Sequence, residues 1–475
     1  MALTLAEVPI SPNGVTSSSM ASPQKDALPE IDFLQLPTGQ ATSIPPDTCL
    51  TQTPRPFPNP PFLPVERGVY ADLDITLTAD QGQIDFGGEE KCNGLLYQLS
   101  SPYKVDGNFD FSYTPPTLRI LPNNTINLSL INNLWNIPTK PQSSQNTNLH
   151  YHGFNVSPLP GSDDVLIHVP LLASSATPQD PYPMEVDIPP THQSGLFWYH
   201  PHFHTTSDIQ VLGGMSGGII IEGIEKYYPI VTNPIATKEP ILLPPASRVE
   251  LLVIAGQSGD TYNLVSLLPL PPSTETPKKA YQLATVAVTG DQVTYNTGGK
   301  SLVDYITSQT PTELDPSQPS PHELAQLYIP NNHKGTFTFG NPRKGVFTIN
   351  DKVYDQNRID TTVQVGDIEE WTLLNATPGH HAFHIHQLDF LNMTNYDPTK
   401  PQGDQDTVDM PPCITDNNTQ TCKELSKTVV RIPFVNPVIT GVFVYHCHIL
   451  AHEDRGMMQN IKVINPPLAA PVRDV

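Results

Sequence analysis

Apolar residues gather in short stretches rich in Val, Ile, Leu, Thr, Tyr and Phe, at 125–131, 218–222, 248–255 and 441–446. No long stretch repeats them with the 3.6-residue period of an amphipathic helix, so short strands are the predicted elements. The chain holds 53 prolines against 29 glycines. Proline interrupts helix interiors and is tolerated at sheet edges and in loops. The pattern predicts an all-β protein built from several sandwiches.

The 475 residues are enough for two to four domains. Residues 1–58 are polar and rich in Pro, Ser and Thr, and read as an extended N-terminal arm. Strand-rich blocks follow at 59–223, 224–340 and 341–475, the last with a Pro/Ala-rich tail. Inside the middle block, 273–279 and 310–321 read as loops.

Charge narrows the range of partners. The formal net charge of -22 leaves no basic footprint, which argues against nucleic acid. No apolar run approaches the ~18 residues of a membrane span. The first residues lack the basic-then-apolar pattern of a signal peptide. Of the five cysteines, Cys447 sits between two histidines. Setting it aside leaves Cys49 with Cys92 and Cys413 with Cys422 as candidate disulfides, which would suit an oxidising compartment; spacing alone leaves free buried thiols equally open. The expected location is periplasmic or extracellular.

Histidine spacing carries the chemistry. Four clusters occur: His150-Tyr-His152-Gly, His200-Pro-His202-Phe-His204, His381-Ala-Phe-His384-Ile-His386, and His446-Cys447-His448-Ile-Leu-Ala-His452 running on to Gly456 and Met457. They fall only in the first and third blocks; His322 and His333 are scattered in the middle block and are expected to be exposed. On a strand, side chains two apart share a face. His446 and His448 therefore point one way and Cys447 the other. By the same parity His381 faces away from His384 and His386. The chain separates two sites, joined by one residue of backbone.

Cysteine with two histidines and a distant methionine is a blue-copper ligand set, and Cys447, His381, His452 and Met457 supply it. An all-imidazole site suits copper, zinc, iron or nickel, but zinc alone does not account for a cysteine-bearing redox site. Gly456 would let the chain bend to present Met457.

In order and internal spacing the four clusters resemble the copper motifs of multicopper oxidases, the laccase family, and segment 448–458 (HILAHEDRGMM) is close to bacterial members. The resemblance implies three cupredoxin-like Greek-key β-sandwiches in tandem, with four coppers. It gives the type 2 copper to His150 and His384. The type 3 pair falls to His152, His200, His202, His386, His446 and His448. The type 1 copper falls to Cys447, His381 and His452, with Met457 axial. His204 has no ligand role in the family and is expected beside a ligand ring or in a structural place. Glu453 resembles the family's proton-delivering acid, and Asp163 or Asp164 the acid that follows the first motif. The middle block is short for the family, as if early strands were missing.

The implied activity is a laccase-like oxidase. It takes single electrons from a phenol or aromatic amine and reduces dioxygen to water. A metallo-oxidase acting on Cu(I) or Fe(II) is the first rival, though the eight methionines form no Met-rich stretch. A non-enzymatic copper-binding or structural protein on the same fold is the second.

Overall fold

The computed structural model describes residues 72–84, 92–100, 115–134, 145–169, 171, 181–221, 241–249, 257–268, 279–290, 297–300, 319–394, 396–397, 405–416 and 421–466. The predicted arm, most of the two predicted loops, the C-terminal tail, Cys49 and the side chain of Cys92 lie outside them, and with these the expected Cys49–Cys92 pair. The described residues are mostly strands, and no helix among them is long and apolar enough to cross a membrane.

The first block forms two facing four-stranded sheets. Their strands are β1 (Leu73–Ile84), β2 (Cys92–Ser100), β3 (Leu118–Ile120), β4 (Thr125–Asn132), β5 (His150–His152), β6 (Tyr182–Asp187), β7 (Gly195–His200) and β8 (Gly217–Ile221). One sheet has the order β2-β1-β4-β6, the other β3-β8-β7-β5. Strand β4 alternates half-buried and buried positions along its whole length, as expected of a strand with one face on a core. Ile126, Leu128 and Leu130 on its inner face join Leu77, Tyr151, Val186, Phe197 and Ile219 in one apolar cluster. Helix α1 (Ser207–Leu212) connects β7 to β8.

The described part of the middle block contributes one two-stranded antiparallel sheet, β9 (Thr261–Leu268) with β10 (Lys279–Ala287). Of the expected strand 248–255, residues 248 and 249 lie in irregular backbone, and 250–255 lie outside the described residues.

The third block begins earlier than residue 341. Helix α2 (Pro321–Gln326) starts with a capping box, in which Glu323 N donates to Ser320 Oγ and Ser320 N to Glu323 Oε2. Its C-terminal carbonyls, Leu324 O and Ala325 O, accept from Arg431 Nη1 at 2.8 and 2.7 Å. Strand β11 (Lys334–Arg343) then pairs in parallel with β14 (Asp367–Asn375). A boundary at 340/341 would cut that strand, so it is corrected. The signal was unreadable locally, because the partner strand lies further along the chain.

The remaining strands are β12 (Val346–Ile349), β13 (Ile359–Gln364), β15 (His381–Ile385), β16 (Leu391–Asn392), β17 (Thr407–Met410), β18 (Ile414–Thr415), β19 (Cys422–Glu424), β20 (Ser426–Phe434), β21 (Gly441–Cys447) and β22 (Met458–Ile464). They build sheets β12-β11-β14-β20-β16 and β13-β22-β21-β15-β17 around Phe339, Trp371, Phe383, Tyr445 and Ile461. Helix α3 (Leu450–Glu453) joins β21 to β22. The predicted Cys413–Cys422 disulfide is present, with a Cα–Cα distance of 5.6 Å, and closes the β18–β19 hairpin.

The two sandwiches repeat one topology. Strand β1 lies between β2 and a parallel β4, as β11 lies between β12 and a parallel β14. Parallel pairs β3–β8 and β13–β22 edge the second sheets, followed by β7 then β5 and by β21 then β15. Each sandwich thus carries its histidine motifs at the ends of equivalent strands.

Candidate metal centre

The repeated topology brings the motifs together. In the first sandwich His150 pairs with His200 across β5 and β7; in the third His384 pairs with His446 across β15 and β21. The two strand ends meet face to face. Three groups of buried histidines result: His150, His152 and His384; His152, His200 and His448; His202, His386 and His446. Within each group the ligand atoms lie within 4.8 Å of one another. In the last group the three Nε2 atoms stand 3.1 Å apart, although His202 and His446 are 244 residues apart in sequence.

A fourth group, His381, Cys447 and His452, lies on the other face of β21. Cys447 Sγ is 3.4 Å from His381 Nδ1 and 3.6 Å from His452 Nδ1, and the two Nδ1 atoms are 3.1 Å apart. Strand parity required this division. Pro201 occupies, between His200 and His202, the place that Cys447 occupies between His446 and His448. Proline offers no ligand atom, so only the third sandwich has the cysteine site.

Gly456 has φ +110, and a Cβ there would stand 2.5 Å from Val353 Cγ1 and 2.9 Å from Phe347 O. Glycine fits that turn where other residues would not. The turn returns the chain so that Cys447 N donates to Met457 O at 3.0 Å, and Met457 is buried in the same core as Cys447. His452 is only half-buried and stacks on Phe347, ring centroids 4.0 Å apart. It is the exposed edge of the cysteine site.

Hydrogen bonds fix which ring nitrogens face inward. His384 Nδ1 meets Asp406 O at 2.7 Å, His200 Nδ1 meets Pro201 O at 3.0 Å, and His446 Nδ1 meets Cys447 O at 3.2 Å. A carbonyl only accepts, so each Nδ1 carries the proton and each Nε2 presents a lone pair. The Thr377 hydroxyl donates to Asn375 Oδ1 at 2.9 Å, so it accepts from His381 Nε2 at 2.8 Å. That leaves His381 Nδ1 as a lone pair beside Cys447.

The buried Nε2 atoms of His150, His200, His384 and His448 and the Nδ1 of His152 have no hydrogen-bond partner. Converging lone pairs with no proton between them repel, and a cation resolves that repulsion. Burial, then neighbouring imidazoles, hold His152, His384 and His448 well below the usual histidine range. Neutral imidazole is the form that binds metal. Burial also pushes the Cys447 thiol up to about 12, so its thiolate needs a bound cation. The donor set fits copper at both sites.

Carboxylates border the histidines. Asp163 is buried; its Oδ1 lies 3.0 Å from His150 Nδ1 and accepts from Tyr151 N, while its Oδ2 accepts from Gln387 Nε2. Asp164, the other candidate, turns away. Its Oδ1 accepts from Leu166 N at 2.9 Å, a bond that closes its own loop. Glu453 is fully buried, with Oε2 3.1 Å from His446 Nδ1 and Oε1 3.6 Å from His202 Nε2. Burial alone would raise its pKa, but His202 and His446 outweigh it and hold the carboxyl down. Its neighbour Asp454 moves the opposite way, raised by burial and by Glu453, although Thr205 N and Asp208 N each donate to it at 2.8 Å.

His204 does not hold a ligand ring by any hydrogen bond among the described residues. It packs edge-on to Tyr354, ring centroids 4.8 Å apart, and with His202, Val165 and Val444 lines a cavity of about 80 Å³ between the sandwiches. His333 is half-buried rather than exposed, with Nδ1 3.2 Å from Glu369 Oε1. His322 is exposed, as expected.

Several residues of the site were not anticipated. Asn148 Oδ1 accepts from His202 N at 2.7 Å while its amide donates to Val165 O. Trp198 stacks on His200, centroids 4.1 Å apart. Gln387, Asp406, Asp454, Thr377 and Arg248 complete the surroundings. Trp198, Gln387, Asp454 and Thr377 lie within four residues of the motif they serve, whereas Asn148, Asp406 and Arg248 act on histidines far along the chain.

Comparison with known proteins agrees with this geometry. Two family profiles, both described as multicopper oxidase, match residues 108–226 and 317–467. The multicopper oxidase mco of Staphylococcus haemolyticus is 25% identical over 446 residues, covering 82% of this chain and 89% of the relative. The laccase of Bacillus subtilis is 28% identical over 135 residues, 27% of this chain and 26% of the relative. Among solved structures, a Campylobacter jejuni multicopper oxidase described as a metallo-oxidase superposes with TM-score 0.55 and 19% identity, over 87% of this chain and 97% of the other. A multicopper oxidase from Aquifex aeolicus gives TM-score 0.56 and 17% identity, over 87% of this chain and 100% of the other. At these identities the two structures speak for the fold, which is that of cupredoxin-like β-sandwiches.

Proposed function

The chain belongs to the multicopper oxidases, copper-containing oxidoreductases, and from that premise we propose that it is a laccase-like enzyme with four coppers. The type 1 copper is assigned to Cys447, His381 and His452 with Met457 axial, and the type 2 copper to His150 and His384. The type 3 pair is assigned to His152, His200 and His448 on one side and His202, His386 and His446 on the other. The observation that carries the reading is the end of strand β21, where His446, Cys447 and, directly after the strand, His448 belong to three different ligand groups.

Copper, when bound, supplies one-electron redox chemistry and the four-electron reduction of dioxygen to water. The protein supplies the remainder. Half-buried His452 gives a reducing substrate its approach to the cysteine site. The backbone of β21 joins the Cys447 thiolate to the imidazoles on either side, a covalent route of one residue. Carbonyl acceptors hold the ligand rings in one tautomer. Glu453, against His446 and His202, is placed to hold and pass a proton beside the histidine cluster, and Asp163 orients His150.

The reading takes a phenol or aromatic amine as electron donor and dioxygen as acceptor. The Cys413–Cys422 disulfide supports a periplasmic or extracellular location. The test compares oxygen consumption by the copper-loaded protein with a phenol, Cu(I) and Fe(II). Faster turnover with the phenol supports the laccase-like reading. Faster turnover with either metal ion replaces it with a metallo-oxidase, and no turnover with any donor overturns the enzyme assignment.

A further inference from the structure

We propose that Arg248, supplied by the middle block, is a positioning residue of the oxygen-reducing centre, acting on His152 and His384 through Asp406. The inference rests on the copper-ligand reading above.

Arg248 reaches from irregular backbone into the seam between the two sandwiches. Its Nη1 meets both carboxylate oxygens of Asp406, at 2.7 and 2.5 Å. Its Nε donates to Leu196 O at 3.0 Å, and its guanidinium lies over the Phe197 ring, 5.6 Å from the centroid. The two side chains are 16% and 3% exposed, so the pair is largely dry and geometrically fixed. Leu196 and Phe197 belong to β7, which ends at His200. One guanidinium therefore touches the strand that carries a ligand in the first sandwich and the loop that abuts a ligand strand in the third.

Asp406 acts at two points. Its carbonyl accepts from His384 Nδ1 at 2.7 Å. Its Oδ2 stands 3.5 Å from His152 Nε2, and its Oδ1 accepts from Thr407 Oγ1 at 3.0 Å. A carboxylate beside Nε2 favours the proton on that nitrogen, which leaves His152 Nδ1 as the metal-facing atom. His152 Nδ1 is buried without a hydrogen-bond partner, as that role requires.

The glycine of the His-x-His-Gly motif fits the same account. Gly153 has φ +87, and a Cβ on it would stand 2.6 Å from Arg248 Nη2 and 2.7 Å from Asp406 Oδ2. A side chain there would occupy the space of the ion pair. The motif encodes two ligands and, directly after them, the room for the pair that orients them.

The test uses full-length, copper-loaded parent, Arg248→Gln and Arg248→Lys. Copper content, the visible band of the cysteine site, the type 2 resonance signal, the type 3 near-ultraviolet band and oxygen consumption are measured on each. Arg248→Gln is expected to keep the visible band, lose or shift the type 2 and type 3 signatures, and consume oxygen 10–100-fold more slowly, the usual range for loss of a ligand-orienting partner. Arg248→Lys restores a point charge without the fork and should recover part of that loss. Parental signatures and rates within twofold in Arg248→Gln overturn the proposal. So does loss of the visible band together with the rest, which marks a general structural role. If Arg248→Gln does not fold, Asp406→Asn, which keeps the shape and the backbone carbonyl, carries the test with the same two overturning results. A parent lacking the visible and near-ultraviolet bands would instead refute the copper reading itself.

Discussion

Gln387 Nε2 donates to Asp163 Oδ2 at 2.7 Å across 224 residues of sequence, so the acid behind His150 is held by the opposite sandwich. Asp163 thereby orients His150 of the first sandwich while itself held by the third. Asp163→Asn is expected to weaken copper retention at the type 2 site by about 10–100-fold, because the His150 ring loses its charged orienting partner. Asp164→Asn should leave retention within about twofold, well short of that range, since Asp164 serves its own loop. Equal effects in a chelator competition would contradict this division.

Cys447→Ser should abolish the intense visible band, because a serine oxygen is no substitute for a soft thiolate. His150→Ala should remove oxygen reduction yet leave colour, whereas His452→Ala should weaken the colour itself. An absorption spectrum beside an oxygen-electrode trace decides each case. Colour lost in His150→Ala with the other copper retained would show that the two sites are not divided as assigned.

Glu453→Gln keeps the shape of a side chain buried against His446 and His202 but cannot exchange a proton in the same way. Turnover is expected to fall by roughly 10²–10⁴-fold, the general-acid range, with copper content and visible band unchanged. Steady-state oxygen consumption within about twofold of the parent across the working pH range would remove Glu453 from proton delivery.

Acid should destabilise the copper-free protein. Burial holds His202 and His381 down at about 3 and His452 at about 4 in the folded chain. The unfolded chain takes protons from about pH 6.5 downward. Depressed folded values mean that stability present above about 6.5 is lost as pH falls toward 4 and below, by up to about 1.4 kcal/mol per pH unit for each histidine. Denaturant midpoints of copper-free protein at pH 7 and pH 5 measure this. A midpoint that is unchanged or higher at pH 5 would contradict it.

The grouping of the histidines and Cys447 is legible in the sequence because its code is local. Two-residue spacing on a strand fixes a face, so His446, Cys447 and His448 could be apportioned between sites before any fold was known. Parity likewise separated His381 from His384. What stayed hidden depends on tertiary contact. Asp163 and Asp164 are adjacent in an irregular loop, and only the arriving Gln387 and His150 distinguish them. Asp406 looks like an ordinary loop acid until Arg248 is beside it. Strand β11 was divided between blocks because its parallel partner β14 follows β12 and β13.

The interleaving of ligands across the seam has a mechanical consequence. His202 and His446, 244 residues apart, meet at 3.1 Å, and an ion seated between them would close a loop of that length. In chain-entropy terms such a closure resembles a long-range crosslink, worth on the order of 5 kcal/mol. Unlike the nine-residue loop of Cys413–Cys422, this fastener is removable by chelation and lies between sandwiches rather than within one. Stripping the metal should therefore loosen the seam before it unravels either core, and proteases should cut the segments linking the sandwiches first.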